Sequence, residues 1–177
     1  MESQSTIARD AVDDILARWA TEHPDLDASP LQVLGRLHRC YVFYSSSLAD
    51  LLDMHGLNVA SFDLLAALRR AGAPYRMTSS QLAELSLVST SGITLRVDRL
   101  VKAGLVERDR DPNDRRVVHA QLTLKGLETI DHIIGPHFQN ESAMLAGLSA
   151  GERETLSNLL RKLESSIISG TTGTVKP

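Results

Sequence analysis

Between Thr78 and Leu122 the apolar residues change from a helical to a strand-like rhythm, with turn residues at each change. This ordered stretch limits the folds open to the chain. Thr78-Ser79-Ser80-Gln81 opens a short helix. A Thr followed three residues later by Gln is a capping box, in which each side chain satisfies a free backbone N–H of the other. Leu82 and Leu85 form the apolar side of that helix. A second helix is expected to begin after Ser89 and end near Ala103, with Ile93, Val97, Leu100 and Val101 as its buried stripe. Gly104 closes it at the C′ position. Leu105–Arg108 and Val117–Leu122 read as two strands around a charged tip, Asp109 to Arg116, in which Pro112-Asn113-Asp114 forms a turn.

Helix, turn, helix and charged hairpin make a winged helix-turn-helix, an arrangement that reads double-stranded DNA. Ser89, Thr90, Ser91, Thr94, Arg99 and Lys102 lie mostly off the apolar stripe of the second helix. Small hydroxyl residues at a helix start let backbone approach phosphates, and their side chains reach base edges. Arg115 and Arg116 stand at the hairpin tip, where one enters a minor groove. Taken singly, an apolar stripe is any packed helix and a charged turn is any solvated turn. The ordered set is what favours a reading head.

The chain has 177 residues, enough for a single domain with a proper core. Its formal charge of −3 excludes a general nucleic-acid coat but not a local reading surface. Even from Arg96 to Arg116, seven Lys/Arg face five Asp/Glu. Binding is therefore expected to rest on placement and symmetry more than on bulk charge. One cysteine excludes an internal disulfide. No apolar run is long enough to span a membrane, and the start MESQSTIARDAVDD lacks the features of a secretion signal. A cytoplasmic protein is the expectation.

The remaining elements read as helices, so the fold class is mainly α with a small β-wing. Ile7 to Ala20 is amphipathic and carries Trp19; His23-Pro24-Asp25 breaks it. Ser29 as cap and Pro30 in the first turn restart a long helix to about Asp53, with Leu31, Leu34, Leu37, Tyr41, Tyr44, Leu48 and Leu51 at steps of three and four. Gly56 ends it, and Asn58 caps a helix bearing Phe62, Leu65, Ala66 and Leu68. Thr123 to about Leu148 is helical, with a kink or break expected at Gly135-Pro136. Ser149 and Glu152 form another capping box before a last helix with Leu156, Leu159, Leu160, Leu163 and Ile167. The helices of 7–55 and 123–169 are more than a small reading head at 58–122 needs, and the plain alternative is that they complete the core. Residues 170–177 would form a disordered tail.

The segment MTSSQLAELSLVSTSGITLRVDRLVKAGLVERDRDPNDRRVVHAQLTLKG resembles the MarR family of transcription regulators. The run RVDRLVKAGLVER, then DPNDRR, then QLT, matches that family's recognition helix and wing, and its D-x-R wing signature falls on Asp114 and Arg116. The resemblance implies a homodimer, with 7–55 and 123–169 as its dimerisation helices, that binds a palindromic operator and leaves it when a small molecule binds. The DNA-contacting set expected is Ser89, Thr90, Ser91, Thr94, Arg99, Asp114, Arg115 and Arg116.

Four further residues are candidates for an effector site. Asp63 lies inside an otherwise apolar helix, where a lone carboxylate is costly unless paired. Arg96 adjoins the buried stripe of the recognition helix, and Arg108 is on the first wing strand. Together they suit an ionic pocket, with Trp19 as an aromatic wall. The plainer alternatives are a structural salt bridge and a packing anchor. WATEHPDLD, LGRLHR and SFDLLAALRRAGAPY also resemble the PecS/HucR-type, urate-responsive branch of the family. The ligand determinants of that branch fall on Trp19, Asp63, Arg96 and Arg108. The resemblance implies that an anionic purine stacks near Trp19, pairs with Arg108 and repels Asp63, which then pulls Arg96 and the recognition helix. Such coupling is typically about 1–3 kcal/mol.

Two other functions compete. Cys40, with Tyr41 and Tyr44, resembles the peroxide-sensing OhrR branch, although the second tyrosine of that branch falls on Met54. A protein-binding winged helix with no DNA role is the other. An enzyme is not expected, because the six histidines form no zinc-ligand pair with an intervening Glu and no phosphate loop or nucleophile elbow is present. No cofactor or metal is expected beyond a small anionic or aromatic effector.

Overall fold

The computed structural model describes residues 8–85, 92–110, 114 and 116–172. Its elements run α1 (Ala11–Glu22), α2 (Leu31–Asp53), α3 (Val59–Arg70), β1 (Arg76–Thr78), α4 (Ser79–Leu85), α5 (Ile93–Lys102), β2 (Val106–Arg110), β3 (Val118–Leu122), α6 (Leu124–Met144) and α7 (Ala150–Thr172). The fold is mainly helical with one small antiparallel sheet. The chain divides into two compact units, residues 1–62 and 63–177. Among the described residues no helix is long and apolar enough to cross a membrane.

In the first unit, α1 starts at Ala11 rather than at Ile7. Asp10 decides the position: its carboxylate accepts from the backbone N–H of Val12 at 2.8 Å and of Asp13 at 3.0 Å, and its own N–H donates to the Asp13 carboxylate at 2.9 Å. Arg36 of α2 reaches back to both carboxylates, at 2.9 Å to Asp10 and 2.6 Å to Asp13. The Asp13 N–H, then Arg36, hold the Asp10 carboxyl below its ordinary pKa; the Asp10 N–H and Arg36 do the same for Asp13. Close to this clamp, Val12 is buried, and a Cβ at Gly35 would come within 3.3 Å of it, so α1 lies against α2 at a glycine.

The start of α2 differs from expectation. Pro30 occupies the cap position without a side-chain hydrogen bond, and Ser29 contributes its carbonyl, which accepts from Gln32 N–H at 2.9 Å. The apolar stripe of α2 is present, but most of it faces outward: Leu34 is 46% exposed and Tyr41 64%, whereas Leu48 and Leu52 are buried. Gly56, at φ 66°, ends the turn after α2, and the Asn58 side chain caps α3 through Ser61 N–H at 2.9 Å.

In the second unit the strand order is β1-β3-β2. β1 was not expected from the sequence; at three residues it is too short for its alternation to be distinguished from the start of α4. Its Thr78 pairs with His119 of β3 and also caps α4, so the capping box begins inside the sheet. The other strands are Val106–Arg110 and Val118–Leu122, shifted slightly from the expected spans, with Val106 opposite Leu122 and Arg110 opposite Val118. Leu64, Leu65 and Leu68 of α3, Leu82, Leu100, Val106, Ile130 and Ile133 are fully buried and make up the core. Val101, expected in the buried stripe of α5, is 36% exposed, and Leu85, on the apolar side of α4, is 55% exposed.

α6 runs on through Pro136, so of the kink or break expected at Gly135-Pro136 the break does not occur. Proline removes one N–H from a helix, but Ile130, Ile133 and His137 on either side are all buried, so the helix is packed on both sides of the proline. The capping box of α7 forms as expected: Ser149 N–H donates to Glu152 at 2.8 Å, and the Ser149 hydroxyl, with that N–H, lowers the Glu152 pKa. α7 extends past Gly170 to Thr172, and the rest of the expected tail, 173–177, lies outside the described residues.

Candidate nucleic-acid interface

α4, α5 and the β2–β3 hairpin present the surface that the sequence assigned to DNA. α5 begins one residue after Gly92, whose φ of 84° suits glycine because it lacks a Cβ. This start is later than expected. Ser89, Thr90 and Ser91, the proposed hydroxyl head, lie outside the described residues. Ile93, Val97 and Leu100 turn inward, while Thr94 and Arg99 are exposed and Arg96 is half-buried. The helix ends in a Schellman motif: Leu105 N–H donates to the Leu100 carbonyl at 3.0 Å and Gly104 N–H to that of Val101 at 2.9 Å, with Gly104 at φ 72°.

The start of α6 supports this end of α5. The Thr123 hydroxyl donates to the Gly104 carbonyl at 2.7 Å and the Lys125 ammonium to that of Ala103 at 3.0 Å. Gly126 lies so close to the Leu105 carbonyl that a Cβ there would collide with it.

The hairpin returns through Asp114 and Arg116. The Asp114 carboxylate accepts from the Arg116 N–H at 3.0 Å and from its Nε at 3.2 Å, and the Asp114 carbonyl accepts from Val117 N–H at 2.9 Å. Asp114 therefore shapes the turn and holds Arg116, whose side chain is 92% exposed. Arg115 lies outside the described residues. Arg116, Val117 and Val118 also line a shallow depression of about 380 Å³ with Thr78, Ser79 and Ser80 at the start of α4. Of the expected DNA-contacting residues that are described, Thr94, Arg99 and Arg116 reach solvent from α5 and the hairpin.

The expected effector residues are placed less uniformly. Asp63 is buried at 6% exposure on α3, Arg96 is half-buried on α5, and neither is without a partner. Arg108 on β2 donates to the Asp98 carboxylate of α5 at 2.6 Å, a pairing that sequence reasoning missed. Asp98 stands between two residues already assigned other tasks, Val97 and Arg99, and only the approach of β2 to α5 gives it a partner. A second missed pair is Arg76 with Asp109, at 2.9 Å across the sheet. In the first unit, Trp19 is 40% exposed, its ring 5.6 Å from that of His23, beside a depression of about 440 Å³ that Ile15, Arg18 and Glu22 also line. Cys40 is exposed on α2. No cluster of His, Cys, Asp and Glu among the described residues is arranged to hold a metal.

Comparisons agree on the kind of protein this is. A model described as "MarR family" matches residues 55–117. The transcriptional regulator PecS of Dickeya dadantii (strain 3937) is 36% identical over 157 residues, 89% of this chain and 95% of PecS. A structure of a cysteine-to-serine mutant of MarR from E. coli, complexed with operator DNA, superposes with a TM-score of 0.65 at 29% identity. That match covers 78% of this chain and 99% of the other. The structure of Bordetella bronchiseptica BpsR, described as regulated in its DNA binding by 6-hydroxynicotinic acid, has a TM-score of 0.65 at 26% identity. It covers 75% of this chain and 98% of that one.

Proposed function

The chain belongs to the MarR family of DNA-binding transcriptional regulators, and from that premise we propose that it is a homodimeric repressor released from a palindromic operator by a small anionic aromatic molecule, with urate as the first candidate. The observation that carries the DNA-binding part is the surface of the second unit. α5 offers Thr94 and Arg99 outward while a buried stripe fixes its orientation, and Asp114 holds an exposed Arg116 on the adjoining hairpin. A rod with a fixed polar face fits a major groove, and an exposed arginine beside it fits the neighbouring minor groove. Two such rods in a two-fold dimer would sit about 34 Å apart, one DNA turn. The unburied apolar faces of α2 and α7 support the homodimer, since a face of that size calls for a partner surface.

The effector half rests on Asp63, Arg96 and Arg108, three charged residues in or beside the reading head, and on Trp19 in the first unit. The Bordetella relative, whose DNA binding responds to a hydroxylated nicotinic acid, favours the same chemical class: a flat ring with a negative charge. Arg108 is the residue suited to that charge, and to take it the effector must compete with Asp98.

The test is a titration of urate into the complex of the protein with its own upstream DNA. Release of the duplex and quenching of Trp19 fluorescence are expected. Retention of the duplex at about millimolar urate removes urate as the effector; a ligand panel of related anions then takes its place. Failure to bind duplex at low salt, or binding without a steep loss at higher salt, removes the DNA-binding mechanism itself.

A further inference from the structure

The outward side of α5 carries a carboxylate as well as cations. At about 100° per residue, Leu95, Asp98, Arg99 and Lys102 fall on the half of the helix away from Ile93, Val97 and Leu100. If this half faces a duplex, as proposed above, Asp98 faces a polyanion. An uncompensated carboxylate there weakens binding, because like charges brought together at an interface are repelled with little screening.

Asp98 is compensated from outside its own helix. Arg108 of β2 reaches it at 2.6 Å, with both side chains a little under half exposed. Strand alternation puts Glu107 and Asp109 on the opposite side of β2 from Arg108, and Asp109 is held by Arg76. Arg108 is therefore set apart from the acidic residues of its own strand and directed to the one on α5. An exposed pair of this kind adds little to stability. Its position at the edge of the proposed contact surface gives it another effect, on the charge that the helix displays.

We infer that Arg108 is a positioning residue of the DNA-binding surface: it covers the Asp98 carboxylate, so that α5 can approach phosphates without that charge opposing them. Arg108 acts here through Asp98 and not by touching the duplex. The inference rests on the reading of α5 as the DNA-facing helix.

The experiment compares the full-length wild type with Arg108→Gln, Asp98→Asn, the double variant and Arg108→Lys. Affinity for the operator duplex is measured by fluorescence anisotropy at one salt concentration without effector. Arg108→Gln bares Asp98 and is expected to weaken binding by roughly tenfold or more. Asp98→Asn removes the charge to be covered and binds at least as tightly as wild type. The double variant recovers most of the loss, and Arg108→Lys, which keeps the charge, stays close to wild type. A double variant as weak as Arg108→Gln overturns the inference, since Arg108 then contacts the duplex itself. A tenfold loss in Asp98→Asn also overturns it, because Asp98 is then a base-reading acceptor or a structural anchor. Wild type that binds no duplex removes the DNA-facing reading and the inference with it; wild type that binds, without rescue in the double variant, removes the inference alone.

Discussion

α5 and α2 both carry apolar residues at steps of three and four, and they meet opposite fates. On α5, Ile93, Val97 and Leu100 are buried at 5% exposure or less. On α2, Leu37 and Tyr44 are both 37% exposed, and Tyr41 is far more so. α7 sides with α2: Leu159 is 59% exposed and Ile167 51%. The contrast separates two meanings of a helical stripe. The stripe states that a face must leave water, and not whether the covering atoms come from the same chain. α5 finds its cover within the second unit because it is short and bounded by α4 and the sheet. α2 and α7, at 23 residues each, present long faces that the chain itself leaves open.

The contrast can be broken most directly by truncation on the packed side. Leu100→Ala removes a fully buried side chain and is expected to cost about 2–5 kcal/mol in urea unfolding; a loss under 1 kcal/mol would mean that α5 is not the packed member of the pair. Gly126→Ala comes next, at about 1–3 kcal/mol, because the new methyl meets the rigid Leu105 carbonyl and not a yielding side chain. On the open side, Leu159→Ala should act on association more than on the fold. Sedimentation is expected to show a dimer dissociation constant raised about tenfold, or 1.4 kcal/mol, and no change would remove α7 from the proposed interface. The smallest effect concerns the clamp of α1. Asp10 and Asp13 have folded-state pKa values below their ordinary 3.8, so they bind protons less readily folded than unfolded. Their contribution is fully present above the ordinary value and is lost as pH falls through the lower folded values. Arg36→Gln should therefore lower stability slightly near neutrality, where both carboxylates are charged, and flatten part of the acid-unfolding curve below about pH 4, read by circular dichroism, so that the difference from wild type shrinks in acid.

Much of the second unit was legible in the residues because its signals are local. Thr78 with Gln81, Ser149 with Glu152, and Gly104 after Lys102 each mark a boundary through contacts within four residues. Where a boundary depended on something farther away, reading failed. β1 exists because β3 pairs with it. α6 runs on past Pro136, with buried residues on both sides of it. Asp10 outcompeted the apolar pattern that suggested a start at Ile7, since an Asp with an Asp three residues on is a less familiar capping pair than Thr with Gln. The site followed the same rule. Exposure of Thr94, Arg99 and Arg116 follows from helix and hairpin geometry, whereas the Arg108–Asp98 pair depends on how the hairpin returns to the helix.

The joint between α5 and α6 has a mechanical consequence. Three successive carbonyls at the end of α5, those of Ala103, Gly104 and Leu105, are occupied by the first turn of α6: by the Lys125 ammonium, the Thr123 hydroxyl and the Thr123 N–H at 3.1 Å. Gly126 closes the remaining gap. Through this joint a tilt of the long helix, 21 residues, would pass directly to the short one, 10 residues, within a single turn.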